Sequence, residues 1–172
     1  MRPHVDILLD TDQSNDVVGI VELSVPAEWD GPPLHHHDFD EAFYVLEGEL
    51  TFQLGEQLRA AGPGELIFAP RGAIHTLANL SEREARYVLV CTPGEFTRYF
   101  EQLKAPQPAG AAEASSDSYP PTVVVGPTIP ERLAAAPPNS YLPHRPSRPT
   151  QAEQPRTPLR CSSTRDARNA HV

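Results

Sequence analysis

The chain is poor in cysteine, in long hydrophobic runs and, over its first hundred residues, in basic charge, and each shortage closes off a class of protein. Cys91 ends the apolar run Tyr87-Val88-Leu89-Val90-Cys91, whereas Cys161 stands in a polar stretch rich in proline. A disulfide between them is not expected, which argues against a small secreted scaffold held by bridges. No apolar run approaches the roughly 20 residues that cross a bilayer. Met1-Arg2-Pro3-His4-Val5-Asp6 lacks the apolar stretch of a signal peptide, so a cytoplasmic location with no membrane partner is expected. The sequence also shows no Gly-rich phosphate loop and no repeat of solenoid type.

Residues 1–104 hold 18 acidic against 7 basic side chains, a net of −11, while residues 105–172 hold 5 against 7. The acidic part repels polyanions, so nucleic acid is not expected as its partner. Arginines of the second part stand singly among prolines and serines, without aromatic interleaving or helical spacing, and read as solvated. Of the 20 prolines, 13 fall after residue 104, while aromatics and apolar runs fall mostly before it. This predicts one domain over 1–104 and a mostly disordered tail over 105–172. A chain cut near Lys104–Pro108 is then expected to fold and keep its metal. Within the tail, the β-branched stretch Thr122-Val123-Val124-Val125-Gly126-Pro127 is suited to pair along an exposed sheet edge.

What is present before the tail is a series of short strands separated by turn residues, the pattern of an all-β barrel or sandwich. Strands are expected at Val5–Leu9, Val17–Leu23, Leu34–His37, Ala42–Leu46, Leu50–Leu54, Gln57–Ala60, Glu65–Ala69, His75–Ala78 and Arg86–Cys91. No helix pattern interrupts them. Helical period appears only after Pro93-Gly94, where Phe96, Tyr99, Phe100 and Leu103 share a face.

Chemistry concentrates in His35-His36-His37 followed by Asp38-Phe39-Asp40-Glu41. Side chains two apart on a strand share a face, so His35 and His37 point one way and His36 the other. Glu41, at the start of the next apolar run, can return beneath them. Two imidazoles and a carboxylate suit a divalent ion, although a solvated histidine cluster on an edge strand would carry the same residues.

A second cluster, Gly64, Pro70, Gly72, His75 and Asn79, has the spacing G-x5-P-x-G-x2-H-x3-N. With His35, His37, Glu41 and Gly48, which match H-x-H-x3-E-x6-G, it resembles the paired motifs of the cupin family over about residues 15–92. The family's leading glycine falls at Trp29 here, with Gly31 two residues later, which bears on the entry turn and not on the ligands. The resemblance implies a double-stranded β-helix, a jelly-roll barrel closed by a short C-terminal helix. It also implies one divalent metal (Fe, Mn, Ni, Zn or Cu) on His35, His37, Glu41 and His75, with Glu41 catalytic as well as a ligand. Three imidazoles and one carboxylate leave open positions for a substrate or O2.

Among neighbouring residues, Phe43, Val45, Phe52 and Phe68 are expected to line the barrel interior, and Asn79 to make strand-end hydrogen bonds. Tyr44 and Tyr87 are candidates for ligand hydrogen bonds or for burial against backbone. Asp38, Asp40, Glu47 and Glu49 read as solvated hairpin charges, with Asp38 or Asp40 a candidate to orient a ligand histidine. Cys91 reads as a buried, inert thiol. The stretches Pro-Leu-His-His-His and Glu-Ala-Phe-Tyr-Val-Leu-Glu-Gly also resemble bacterial quercetin-dioxygenase-like cupins. An oxygenase acting on a small-molecule substrate is therefore favoured. A non-catalytic ligand-binding module and a metal-dependent sugar isomerase remain the alternatives, the latter weakened because Arg71 is the one obvious base near a ligand. A homodimer matches the habit of the family.

Overall fold

Alternation of inward apolar and outward polar residues shapes the fold, seen here in a computed structural model that describes residues 2–104 and 122–136. In chain order the elements are β1 (His4–Leu9), α1 (Thr11–Ser14), β2 (Gly19–Val25), β3 (His35–His36), β4 (Asp40–Glu47), β5 (Leu50–Leu54) and β6 (Gln57–Ala61). They continue with β7 (Leu66–Ala69), β8 (His75–Ala78), β9 (Ala85–Thr92), α2 (Thr97–Lys104), β10 (Val123–Val124) and α3 (Ile129–Ala135). Two five-stranded antiparallel sheets face each other, ordered β1-β2-β9-β4-β7 and β10-β3-β8-β5-β6. This is the double-stranded β-helix. Its core lies between the sheets, where Val21, Leu23, Phe43, Val45, Leu50, Phe52, Leu77, Tyr87 and Leu89 are almost fully buried. Apolar burial on this scale is the main drive that holds the sheets together.

Strand β9 shows how the pattern is read by the fold. Its residues alternate between buried (Ala85, Tyr87, Leu89, Cys91) and half-buried, and it pairs with β2 on one side and β4 on the other. After Pro93 a single 3-10 turn, Gly94–Phe96, leads into α2, and Phe100 buries its ring against the core with Phe96 and Tyr99 packed beside it. The helical face expected from Phe96, Tyr99 and Phe100 is the one that packs; the side chain of Leu103 lies outside the described residues.

Four expectations need correction. A helix does interrupt the strands, since Asp10 caps α1 through the Gln13 amide while the Gln13 side chain returns to the Asp10 amide. That reciprocal cap stabilises a turn too short to show a helical period. Phe68 points outward and is 52% exposed, because β7 buries Ile67 and Ala69 on its other face. Tyr44 is likewise exposed at 42%, in register with Leu66 on the outer face of its sheet, so it neither meets a ligand nor buries. Finally, packed structure does not stop at Lys104: β10 pairs antiparallel with β3, as the β-branched stretch suggested, and α3 packs against β8 with Ile129 fully buried. Backbone pairing at Val123 and Val124 and the buried side chain of Ile129 give this segment contacts that its prolines alone would not. Residues 105–121 and 137–172, the rest of the expected tail, lie outside the described residues, as does Cys161.

Candidate metal centre

The two-residue strand β3 sits between β10 and β8, and its register sets the site. Val124, His35, His75 and Leu54 stand opposite one another across four neighbouring strands. Residues directly opposite across a strand pair point to the same face, so His35 and His75 project together into the barrel. His37 follows two residues after His35, and Glu41 enters on β4, paired with Cys91 and Ala69 in the facing sheet. One ring nitrogen from each of His35, His37 and His75 lies within 4.8 Å of the others. Glu41 Oε2 lies 3.0 Å from His37 Nε2 and 2.8 Å from His75 Nε2. All four residues named from the sequence therefore come together.

Backbone carbonyls orient the rings. His35 Nδ1 is 2.6 Å from the Pro33 oxygen, His37 Nδ1 is 3.0 Å from that of Phe39, and His75 Nδ1 is 2.9 Å from that of Ala73. A carbonyl only accepts, so each Nδ1 must carry its proton and each neutral ring keeps its lone pair on Nε2. For His37 and His75 that lone pair would face an anionic oxygen at hydrogen-bond distance, which is repulsive unless a proton or a metal ion stands there. Neutral imidazole with carboxylate is a donor set that suits a borderline divalent ion.

The electrostatics agree. Burial would raise the pKa of Glu41, but hydrogen bonds and charge from His37 and His75 outweigh it and hold the carboxyl at about 2. Burial pulls His75 down, yet its contact with Glu41 leaves it raised above the ordinary histidine value. His35, which lacks a carboxylate bond, is driven down by burial to about 4 despite the Pro33 carbonyl. Burial alone accounts for most of the upward push on the Tyr87 phenol and on the Cys91 thiol, which reaches about 12 and makes it inert.

Other expected roles resolve as follows. Asn79 makes strand-end bonds: its Nδ2 donates to the carbonyls of Pro26 and Arg83, and its Oδ1 accepts from Ser81. Asp40 does not orient a histidine. It accepts from the Arg71 amide and guanidinium, which hold its carboxyl at about 2, and the carbonyls take the part expected of an aspartate. Asp38 is exposed. Trp29 bridges to Asn79, and the close approach falls at Gly31, where φ is +76° and a Cβ would land on the carbonyl oxygen of Leu77 in β8. Only glycine takes that turn without a clash.

One residue escaped the sequence reading. Phe39, 3% exposed, stacks on the His37 ring with centroids 3.5 Å apart and planes 8° from parallel, and Phe96 packs beside it at 4.7 Å. The signal was available, since His35, His37, Phe39 and Glu41 continue one two-residue spacing.

A match to the Cupin domain model runs over residues 21–91, which contain the whole cluster. Residues 21–91 are a cupin domain. Among curated relatives, the chain is 32% identical over 73 residues to quercetin 2,3-dioxygenase of Bacillus subtilis, which covers 42% of the chain and 21% of the relative. It is 28% identical over 95 residues to endoribonuclease YbeY of Myxococcus xanthus, covering 55% of the chain and 32% of the relative. The chain thus spans a third or less of the curated relatives it matches. Among solved structures it is similar to the polyketide cyclase RemF of Streptomyces resistomycificus, at 30% identity and a TM-score of 0.47, over 52% of this chain and 63% of that chain. Among the described residues no helix is long and apolar enough to cross a membrane.

Proposed function

We propose that this cupin is a mononuclear metal enzyme, an oxygenase of a small organic compound, with His35, His37, Glu41 and His75 as the ligands. The convergence of three histidine rings, two of them with Nε2 at hydrogen-bond distance of the buried Glu41 carboxylate and every Nδ1 engaged by a carbonyl, carries the proposal. These donors suit Fe, Mn, Ni, Zn or Cu, and a redox-active ion among them supplies both Lewis acidity and access to O2.

The chain's own residues provide the rest of the chemistry. Phe39 and Phe43, buried beside the histidines, keep water from that side of the site and give it apolar walls suited to an organic substrate. His35, less buried than His37 and His75, marks the side from which a substrate enters. Glu41, held anionic at neutral pH, is the group placed to take a proton from an acidic substrate hydroxyl. The partial likeness to a dioxygenase supports oxygen chemistry. Arg71, the base an isomerase would use for a substrate phosphate, is instead paired with Asp40 at 2.8 Å.

O2 uptake by protein purified without a histidine tag, with a panel of phenols and β-diketones, tests the reading. Substrate-dependent uptake that disappears in Glu41→Gln is the expected result. A metal-loaded protein that binds members of the panel without consuming O2 would identify a binding module instead.

A further inference from the structure

The segment that returns after the barrel, residues 122–135, is built onto both strands that carry the histidines of the second sheet. We propose that it is a strap that positions His35 against His75, and that the metal centre is incomplete without it. The proposal rests on the ligand reading given above.

Strand β3 needs such a support. It is two residues long and meets β8 through a single register pair, His35 with His75. On its other edge it meets β10 through two, Val123 with His36 and Val124 with His35. The backbone contacts continue beyond the strand: the amides of Val125 and Gly126 donate to the Leu34 oxygen at 2.8 and 3.2 Å, and the Leu34 amide donates to the Pro127 oxygen at 3.1 Å. More of the bonding that fixes the His35 backbone therefore comes from the strap than from the barrel. An edge strand this short has little hold on its own register.

Ile129 is the strap's buried anchor. In α3, Ile129 is fully buried whereas Glu131, Ala134 and Ala135 are exposed, and the helix packs against β8. Ile129 is not part of the cluster between the sheets, and Thr76 on β8 is buried although its neighbours His75 and Leu77 occupy the inward face. The strap covers the outer face of the strand that holds His75. A reciprocal cap between Thr128 and Glu131 starts the helix, and Arg132 pairs with Glu56 at 2.7 Å on the next hairpin. Close fit at Gly126, where a Cβ would stand 3.1 Å from Leu34 Cδ2, keeps the strap's turn against β3.

Ile129→Asp in the full chain tests this. Its Co2+ affinity and the Co2+ visible absorption spectrum are compared with wild type, with far-ultraviolet circular dichroism and the metal-free unfolding midpoint as checks of the barrel. Co2+ binding about tenfold or more weaker, with a changed spectrum from a folded barrel, is the expected result, in line with the loss of a contact that orients a ligand. Ile129→Ala, which only opens a cavity, is expected to shift both in the same direction and serves if the aspartate prevents folding. Unaltered affinity and spectrum in a folded variant would overturn the strap alone. Wild-type protein that takes up no Co2+ would overturn the ligand reading and the strap's role with it.

Discussion

Metal uptake should release protons, and the contacts of His75 set how many. With Nδ1 donating to Ala73 and Nε2 held 2.8 Å from Glu41, the metal-free ring binds a second proton. Burial opposes that charge, the Glu41 contact outweighs it, and the pKa stands above its ordinary 6.5. A metal at Nε2 needs the lone pair which that proton occupies. At pH 6 most of the protein carries the proton, so binding displaces up to one, and affinity falls by up to about tenfold per pH unit below about 6.5. The sign is fixed by competition: acid weakens binding. His35 joins only near its own pKa of about 4, where burial finally yields, and the dependence steepens there. Calorimetric titration with Zn2+ between about pH 5 and 7.5, in two buffers of different ionisation enthalpy, counts the protons directly. Affinity that stays flat from about pH 5 to 6.5, with no proton release, would refute the placement of the ion at these nitrogens.

Two further outcomes are open to measurement. Phe39→Ala removes a ring stacked on His37, packed beside Phe96 and buried to 3% exposure. It should destabilise the protein by about 3–5 kcal/mol in urea unfolding, and a loss under about 1 kcal/mol would show that the ring packs loosely. Cys91, buried and with its thiol pushed up to about 12, should resist alkylation in the native protein and react only after unfolding. Mass spectrometry that finds native-state label on Cys91 would contradict that burial.

Much of this arrangement was legible before any coordinates. Short strand-like runs between turn residues located the barrel strands to within a few residues, and the two motifs named the four residues that meet. What escaped was decided across the chain rather than along it. Phe68 and Tyr44 look like core residues in isolation, but the register of β7 and β4 turns them to the outer face. Asp40 stands one residue from Glu41, and only the fold brings Arg71 to it from 31 residues away. The carbonyls of Pro33, Phe39 and Ala73 that orient the rings carry no sequence signal at all, since every residue has one. Composition placed the domain's end at Lys104 because proline dominates after it, and a two-residue strand with one buried isoleucine was enough for ordered contacts to resume.

Metal content of the untagged full chain, wild type beside His37→Ala, tests the central assignment most directly. About one divalent ion per wild-type chain, reduced at least about tenfold in the variant, is the expected result. Equal metal content in the two proteins would contradict it.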